Sequence, residues 1–349
     1  MVHFNTYLVR EKEFGYAPPG LFQLVVTGTA DLSVYREHDF VARLGQDTLS
    51  QRQNDVFWDG PVADRLQEGV ENYTASVWKK VGKVDYVKEI LKEFRQEDHW
   101  EAYMAETWIN TLCRLLISIQ RYHHGGALLI TKSKSDLDVK YKINYPRLKT
   151  AMVRMWTSRM LSSMASRVIN DEYVDDTSKE MMPIGLYLDE SIAIHDEEDY
   201  RDEITGCVRF ISSLSCVDGL VLASPDLAIR GFGAMIRTEK DVGSAFLSPG
   251  PKATQKTLKK FDPNHFGSRH RTMMRYCYSH PKSVGFVVSQ DGEIRVMTKV
   301  KNRLVMWENL KVLDFRESFL PRLKEKRQKA GATKELDAPP SSSSPPASS

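Results

Sequence analysis

The fold is decided by residues 217–236, which read VDGLVLASPDLAIRGFGAMI. Two short apolar runs flank a Ser-Pro-Asp turn, a pattern typical of two buried strands that a tight connection joins. Asp218 and Gly219 open the first run, and a Gly-Phe-Gly triplet at 231–233 interrupts the second. We therefore predict a strand–turn–strand unit, with a bulge or a close approach to a ligand at the glycines.

The segments on either side extend this unit into a sheet with helices. Upstream, apolar spacing of three and four residues predicts helices over 100–122, 150–170 and 203–216, and the runs ALLIT and LDVKYKINY predict strands. Downstream, the runs SVGFVVS, GEIRVMT and NRLVMWEN predict three further strands after a helix that stops before Pro281. The expected fold class is α/β, with a mixed central sheet flanked by helices.

The chain divides into three parts by composition. Residues 1–104 read as an N-terminal α+β accessory region, with one or two strands in APPGLFQLVVTGTADLSVY and a helical pattern over 64–94. Residues 105–315 carry the dense strand and helix pattern of the main domain. Residues 316–349 are basic and then rich in Pro and Ser, and we expect them to be a disordered tail because they offer little apolar surface to bury.

Composition excludes several classes of protein. The 349 residues are 41% hydrophobic and 27% charged, with a net charge of +3, which argues against a wholly basic nucleic-acid coat. We expect neither a membrane span nor a secretory signal, and hence a cytoplasmic protein. The four cysteines form no CxxC pair, so reduced, buried thiols are expected rather than a disulfide framework or a zinc site.

The strongest chemical signal is the sequence GSRHR at 267–271. We predict Ser268 as the N-cap of a helix, so that two arginines, a histidine and free backbone N–H groups meet at its start. An oxyanion, above all a phosphate, is the natural ligand of such a group, and lysines over 252–260 add positive charge. The alternative is a surface helix start that pairs with the acidic segments 171–176 and 196–203.

Two weaker motifs have a structural and a functional interpretation. Asp218 with Gly219 fits a metal or ligand site at a strand, but equally a capped turn. The sequence HHGG at 123–126 fits the edge of a ligand site or a capped helix end. Neither a GxGxxG nor a Walker lysine motif occurs, and HExxH and GxSxG are also absent from the sequence.

Together these segments resemble the diadenylate cyclase family. That family carries an Asp-Gly-Ala motif on a strand, a Gly-Thr-Arg-His-Arg motif entering a helix, and a Val-Ser-Glu-Glu turn. This sequence has VDGL at 217–220, GSRHR at 267–271 and VVSQDG at 287–292, in the same order. The resemblance covers residues 105–315 and extends, through HHGGALLIT and GFGAMI, to divergent diadenylate-cyclase-like domains proposed as nucleotide sensors in bacterial conflict systems.

The resemblance implies a set of roles. Asp218 would hold Mg²⁺ or Mn²⁺ and help to activate a hydroxyl, while Arg269, His270 and Arg271 would grip phosphates, all four being catalytic in an active enzyme. The ligand would be an adenine nucleotide or a cyclic dinucleotide, and the protein a homodimer or higher oligomer. The nucleotide-binding residues implied are Gly219, Leu220, Gly231, Phe232, Gly233, Gly267, Ser268, Arg269, His270, Arg271, Ser289 and Asp291.

Departures from the family pattern leave three functions open. Leu220 replaces the motif alanine, Gln290 and Asp291 replace the paired glutamates, and Thr-Met-Met at 272–274 replaces small residues. These changes spare the phosphate grip more than metal-assisted transfer, which favours a nucleotide-binding sensor. An active diadenylate cyclase, making cyclic di-AMP from two ATP, is the second interpretation. A scaffold or nucleic-acid-associated protein, motivated by the basic 252–275 region, is the third.

Overall fold

The structure is a computed structural model, and it describes residues 22–28, 31–36, 39–45, 48–50, 54–84, 99–174, 184–238, 240–290, 292–310 and 312. The expected disordered tail at 316–349 lies outside the described residues, as do 85–94 of the helix predicted over 64–94. The same holds for Asp291 and for the end of the acidic segment 171–176.

The N-terminal strands form a four-stranded antiparallel sheet in the order β1-β2-β3-β4. Their bounds are β1 (Phe22–Gly28), β2 (Asp31–Arg36), β3 (Asp39–Gly45) and β4 (Thr48–Ser50). Leu24 pairs with Val34, and Val26 with Leu32, so aliphatic side chains share one face. The prediction of one or two strands in APPGLFQLVVTGTADLSVY is confirmed, since β1 lies in that stretch and β2 ends one residue after it. Strands β3 and β4 follow the stretch and were not predicted, because charged residues interrupt the apolar pattern of β3.

A nine-stranded mixed sheet forms the centre of the molecule, and this part of the fold prediction is confirmed. Its order is β10-β9-β13-β12-β11-β5-β7-β8-β6, with parallel pairs at β13/β9 and β5/β7. The strands are β5 (Gly126–Ile130), β6 (Leu137–Tyr145), β7 (Leu220–Ala223), β8 (Ile229–Ile236), β9 (Ala245–Leu247), β10 (Lys259–Phe261), β11 (Val284–Val288), β12 (Ile294–Val300) and β13 (Arg303–Trp307).

The apolar runs of the sequence are the strands at the middle of this sheet. Every residue of β5, β7 and β11 is buried, which is why these strands show no polar alternation. By contrast, β6 has half-buried residues alternating with exposed ones over most of its length. The parallel pairing of β5 with β7 requires a long crossover, and the chain supplies it through β6 and two helices.

Five α-helices pack on the described strands. They are α1 (Pro61–Val81), α2 (His99–Gln120), α3 (Arg147–Val168), α4 (Ile184–Ser213) and α5 (Ser268–Ser279). The helix predicted over 203–216 begins much earlier, because α4 packs beside α3, where Ser166 and Arg159 contact Glu190 and Glu197. A single 3₁₀ turn, Leu214–Cys216, ends this region.

The two faces of the large sheet are covered differently. Helices α1 to α4 share one apolar core with Leu128, Phe286 and Val305, while α5 covers the other face against Leu129, Val287 and Met306. The boundary drawn at 104/105 falls inside α2, and α1 contacts β11 and β12. Helix α1 of the accessory region therefore belongs to the same core as the sheet.

Lysines mark both edges of the nine-stranded sheet. At one edge, β6 exposes Lys140 and Lys142, and at the other, β10 exposes Lys259 and Lys260. Charged side chains on edge strands oppose pairing with another sheet. In the part of the chain that the structure describes, no helix is both long and apolar enough to cross a membrane.

Candidate functional site

A cleft of about 320 Å³ opens on the α5 face of the large sheet, where the parallel strands β5 and β7 begin. The N-terminus of α5 forms one side, and the last residues of β8 form the other. The described residues that line it are Ala127, Asp218, Gly219, Leu220, Ala234, Met235, Ile236, Ser268, Arg269, Thr272 and Met273. The structure thus brings the Asp-Gly motif and the first arginine of GSRHR to one cleft.

The turn before β7 depends on glycine for a backbone reason. Gly219 has φ of +111°, and a Cβ there would lie 2.6 Å from the carbonyl carbon of Gly233. A bulge in β8 brings Gly233 to this point, since one extra residue separates the partners of Leu220 and Leu222. The predicted bulge at 231–233 is confirmed, and the close approach is one of backbone to backbone.

Helix α5 begins one residue earlier than the N-cap prediction placed it. Gly267 is the N-cap in an extended conformation, and Ser268 is the first helical residue, so no side chain caps this end. The first helical hydrogen bond runs from the Arg271 N–H to the Gly267 carbonyl at 3.1 Å. The N–H groups of residues 268–270 therefore have no partner within the helix and give this end a positive field.

Arg269 and Asp218 face the cleft without partners among the described residues. Within the described ranges, the half-buried Arg269 guanidinium has no ion pair or hydrogen bond, and the exposed Asp218 carboxylate has none either. Both residues line the cleft, yet they do not form a salt bridge with each other. A partly desolvated guanidinium beside an uncapped helix start is an arrangement that favours an anionic ligand.

His270 points away from this cleft into a network that sequence reasoning missed. Its Nε2 lies 3.3 Å from Nη1 of Arg295, so the imidazole is the acceptor and is neutral in this contact. Arg295 also pairs with Glu293 and, at 2.9 Å, with Glu308. The available signal was the spacing of Glu293 and Arg295, which places both on one face of a strand.

The remaining residues named from sequence lie elsewhere. Successive residues of a helix are about 100° apart, so Arg269, His270 and Arg271 cannot all face one small ligand, and Arg271 is exposed to solvent. Phe232 stacks on Tyr141 of β6 with ring centroids 4.7 Å apart.

Ser289, another residue named from sequence, lies in the turn between β11 and β12. The Ser289 hydroxyl accepts a hydrogen bond from the Glu293 N–H at 3.0 Å, which closes this turn. Gly231 faces the Val139 side chain, Gly267 is the cap described above, and Asp291 lies outside the described residues.

No family model matches this chain. A comparison with curated proteins also finds no match. The resemblance to diadenylate cyclases therefore stays a prediction from the motifs.

The cleft offers few side chains that could coordinate a divalent metal ion. Across the described residues, no group of three His, Cys, Asp or Glu side chains is placed to hold a metal ion. In the cleft, Asp218 is the single carboxylate among the lining residues. These residues do not form a protein cage for Mg²⁺ or Mn²⁺, and we derive no chemical step through a metal.

The arrangement combines one cationic point with an apolar wall. Met235 and Ile236 expose aliphatic surface beside the buried side chain of Leu220, while Arg269 and the α5 N-terminus supply positive charge. Ligand sites commonly pair mostly apolar walls with a few convergent polar groups, at volumes of roughly 300–1,000 Å³. A small molecule with one flat apolar part and one anionic part fits both features.

Proposed function

We propose that this protein binds an adenine nucleotide or a cyclic dinucleotide in the cleft between β7 and α5, and acts as a nucleotide sensor. The observation that carries the proposal is the Arg269 guanidinium, which forms no ion pair or hydrogen bond with a described residue and lies half-buried beside the uncapped start of α5 in the cleft. Removing a cation from water is costly unless a partner compensates for the loss. A nucleotide phosphate supplies that partner.

The walls of the cleft support the nucleotide class over a simple inorganic anion. An inorganic phosphate would use Arg269 and the helix start but leave the exposed Met235 and the half-buried Ile236 without a ligand contact. A purine ring buries such aliphatic surface and gains roughly 25 cal/mol for each Å² removed from water. The proposed ligand therefore places its base against β7 and β8 and its phosphate against α5.

An active diadenylate cyclase is the second candidate, and Asp218 is the observation that favours it. Its carboxylate is exposed at the same cleft and forms no ion pair with a described residue. Mg²⁺ is commonly held by one or two carboxylates together with substrate phosphates, so a cation would need the nucleotide to complete its ligands. In that reading, two copies of the domain would face each other with one ATP each.

The test of binding compares two arginines of one helix. Calorimetric titration with ATP and with cyclic di-AMP is expected to show binding to the wild type. Arg269→Ala should weaken it about 10- to 100-fold, because a hydrogen bond to a charged group contributes about 1.5–3 kcal/mol. Arg271→Ala, two residues on and exposed, is the matched control and should change the dissociation constant less than about twofold.

Four outcomes would count against the sensor. Absence of heat with both nucleotides, or equal losses in the two arginine variants, would overturn the assignment of the cleft. Salt-sensitive binding to DNA without nucleotide binding would favour the scaffold instead. Conversion of ATP to cyclic di-AMP with Mn²⁺ or Mg²⁺, lost in Asp218→Asn, would favour the cyclase.

A further inference from the structure

We propose that Gly125 is a positioning residue for Arg269: the turn before β5 provides a surface, free of any side chain, that fixes the guanidinium at the mouth of the cleft. This inference rests on the proposed function, since it concerns the same phosphate-facing group. It adds a residue that none of the three family motifs includes.

The geometry around Gly125 is crowded by groups of the site. A Cβ at this position would lie 3.1 Å from Nη1 of Arg269, 3.1 Å from the Val288 carbonyl oxygen and 3.4 Å from Cγ of Gln290. Contacts of 3.0–3.4 Å are tighter than nine in ten real Cβ contacts. The guanidinium therefore lies close to the backbone of the turn, and a side chain there would push it away by a few tenths of an ångström or more.

Arg269 needs such a support because nothing else described holds its end. It forms no ion pair or hydrogen bond with any residue that the structure describes, and an arginine side chain that is free loses much rotamer entropy when a ligand fixes it. Packing against Gly125 restricts the side chain before the ligand arrives. A pre-organised cation binds its anion more tightly than a mobile one.

The turn itself is anchored, so it is a fixed support. Gln120, the last residue of α2, donates a side-chain hydrogen bond to the Gly292 carbonyl in the turn between β11 and β12. Gly125 directly precedes β5, whose first residue, Gly126, is opposite Val288 at the end of β11. The support therefore moves with the sheet and not with solvent-exposed loops.

One substitution at Gly125 can separate the effect of its backbone conformation from the effect of its missing side chain. Gly125 has φ of +64°, a left-handed conformation that asparagine tolerates better than other residues. Gly125→Asn therefore adds the Cβ against Arg269 with little backbone strain. Gly292→Asn is the matched control, because Gly292 also has a positive φ of +86° and a Cβ there would meet only Gln120 at ordinary distances of 3.4 Å and above.

The first arm of the experiment needs no ligand. In protein labelled with ¹⁵N-arginine, the Nε–H signal of Arg269 is identified by its loss in Arg269→Lys, and its relaxation reports the order of the side chain. We expect an ordered signal in the wild type and in Gly292→Asn, and a mobile one in Gly125→Asn. An equally mobile signal in the wild type, or an unchanged one in Gly125→Asn, would overturn the inference.

The second arm is a double-mutant cycle with ATP and cyclic di-AMP. Gly125→Asn should weaken binding about tenfold in the wild-type background and by less than about twofold in Arg269→Ala, since its effect passes through Arg269. Equal losses in both backgrounds would refute a positioning role. Absence of nucleotide binding by the wild type would refute the proposed function, while the relaxation of Arg269 would still decide the inference.

Discussion

At the scale of single residues, the glycines of this chain differ in which atoms an added side chain would contact. At Gly219 a Cβ would lie 2.6 to 2.9 Å from backbone atoms of Gly233 and Ala234, which cannot move without opening β8. At Gly206, within α4, a Cβ would meet no atom within 4 Å beyond its chain neighbours and the nearby backbone of the helix. The first glycine is required by the fold, and the second is not.

Gly219→Ala is therefore expected to destabilise the protein, and Gly206→Ala to stabilise it. Strain at a positive φ alone costs of order 1–3 kcal/mol, and the backbone contact adds to it. Replacing an exposed helical glycine by alanine gains about 0.5–1 kcal/mol. Urea unfolding of the two variants beside the wild type measures both changes, and a stable Gly219→Ala would contradict the backbone explanation of the motif.

At the scale of elements, the ion pair between Asp226 and Lys149 joins the turn after β7 to helix α3. Asp226 lies in the turn between β7 and β8, and the Lys149 ammonium of α3 donates to its carboxylate at 2.6 Å. Burial alone would raise the pKa of Asp226, but hydrogen bonds from Lys149 and Ser224 outweigh it and hold the pKa below its usual value. A lowered pKa in the folded state means that the charged carboxylate stabilises the fold.

Asp226→Asn should consequently lower stability at pH 7 by about 1–2 kcal/mol, allowing for partial solvent screening. The stabilisation is present above the unfolded pKa of about 3.9 and is lost as pH falls through the lower folded pKa. Unfolding free energies measured at pH 7 and near pH 3 should therefore differ between variant and wild type much less at the acid end. The same difference at both values would argue against this ion pair.

Elements with a clean pattern were predicted from sequence, and elements fixed by distant partners were not. The alternation in LDVKYKINY and the spacing over 100–122 gave β6 and α2 within a few residues. The start of α4 was missed, because residues 184–202 are acidic and become helical by packing on α3. No local pattern could place β5 beside β7, whose chain separation is bridged by two helices.

The candidate site was likewise predictable only where local sequence determines it. GSRHR at a helix start could be read from sequence, since a turn glycine precedes a helical run. Which of its three cationic side chains faces the cleft depends on how α5 is rotated against β12. Arg295 of β12 donates a hydrogen bond to His270, which turns His270 away from the cleft. The role of Gly125 depends on the distant Arg269 and could not be inferred from HHGG alone.

At the scale of the whole molecule, three free cysteines lie within the two cores that the large sheet separates. Cys113 of α2 and Cys207 of α4 are buried on one face, and Cys277 of α5 on the other, whereas Cys216 is exposed. The expectation of buried thiols was therefore wrong for Cys216, which lies at the end of a surface turn. Burial raises the pKa of the Cys277 thiol to about 12, which removes its reactive thiolate at neutral pH.

Thiol labelling of the native protein at pH 8 should then show one fast cysteine and three slow ones. Cys216→Ser should abolish the fast phase, because Cys216 is the exposed thiol of the four. If the sheet couples both cores, the three slow thiols react at rates set by one global opening. Faster labelling of Cys277 than of Cys113 would instead reveal that α5 opens by itself.

The lysines on β6 and β10 oppose association between the sheet edges of two molecules. Each edge strand presents unpaired backbone donors and acceptors that a like sheet would complete, and a pair of ammonium groups on each discourages that approach. Acetylation of these four side chains would remove that repulsion, and a high salt concentration would screen it in the unmodified protein. Either change should increase edge-to-edge association, which light scattering would detect.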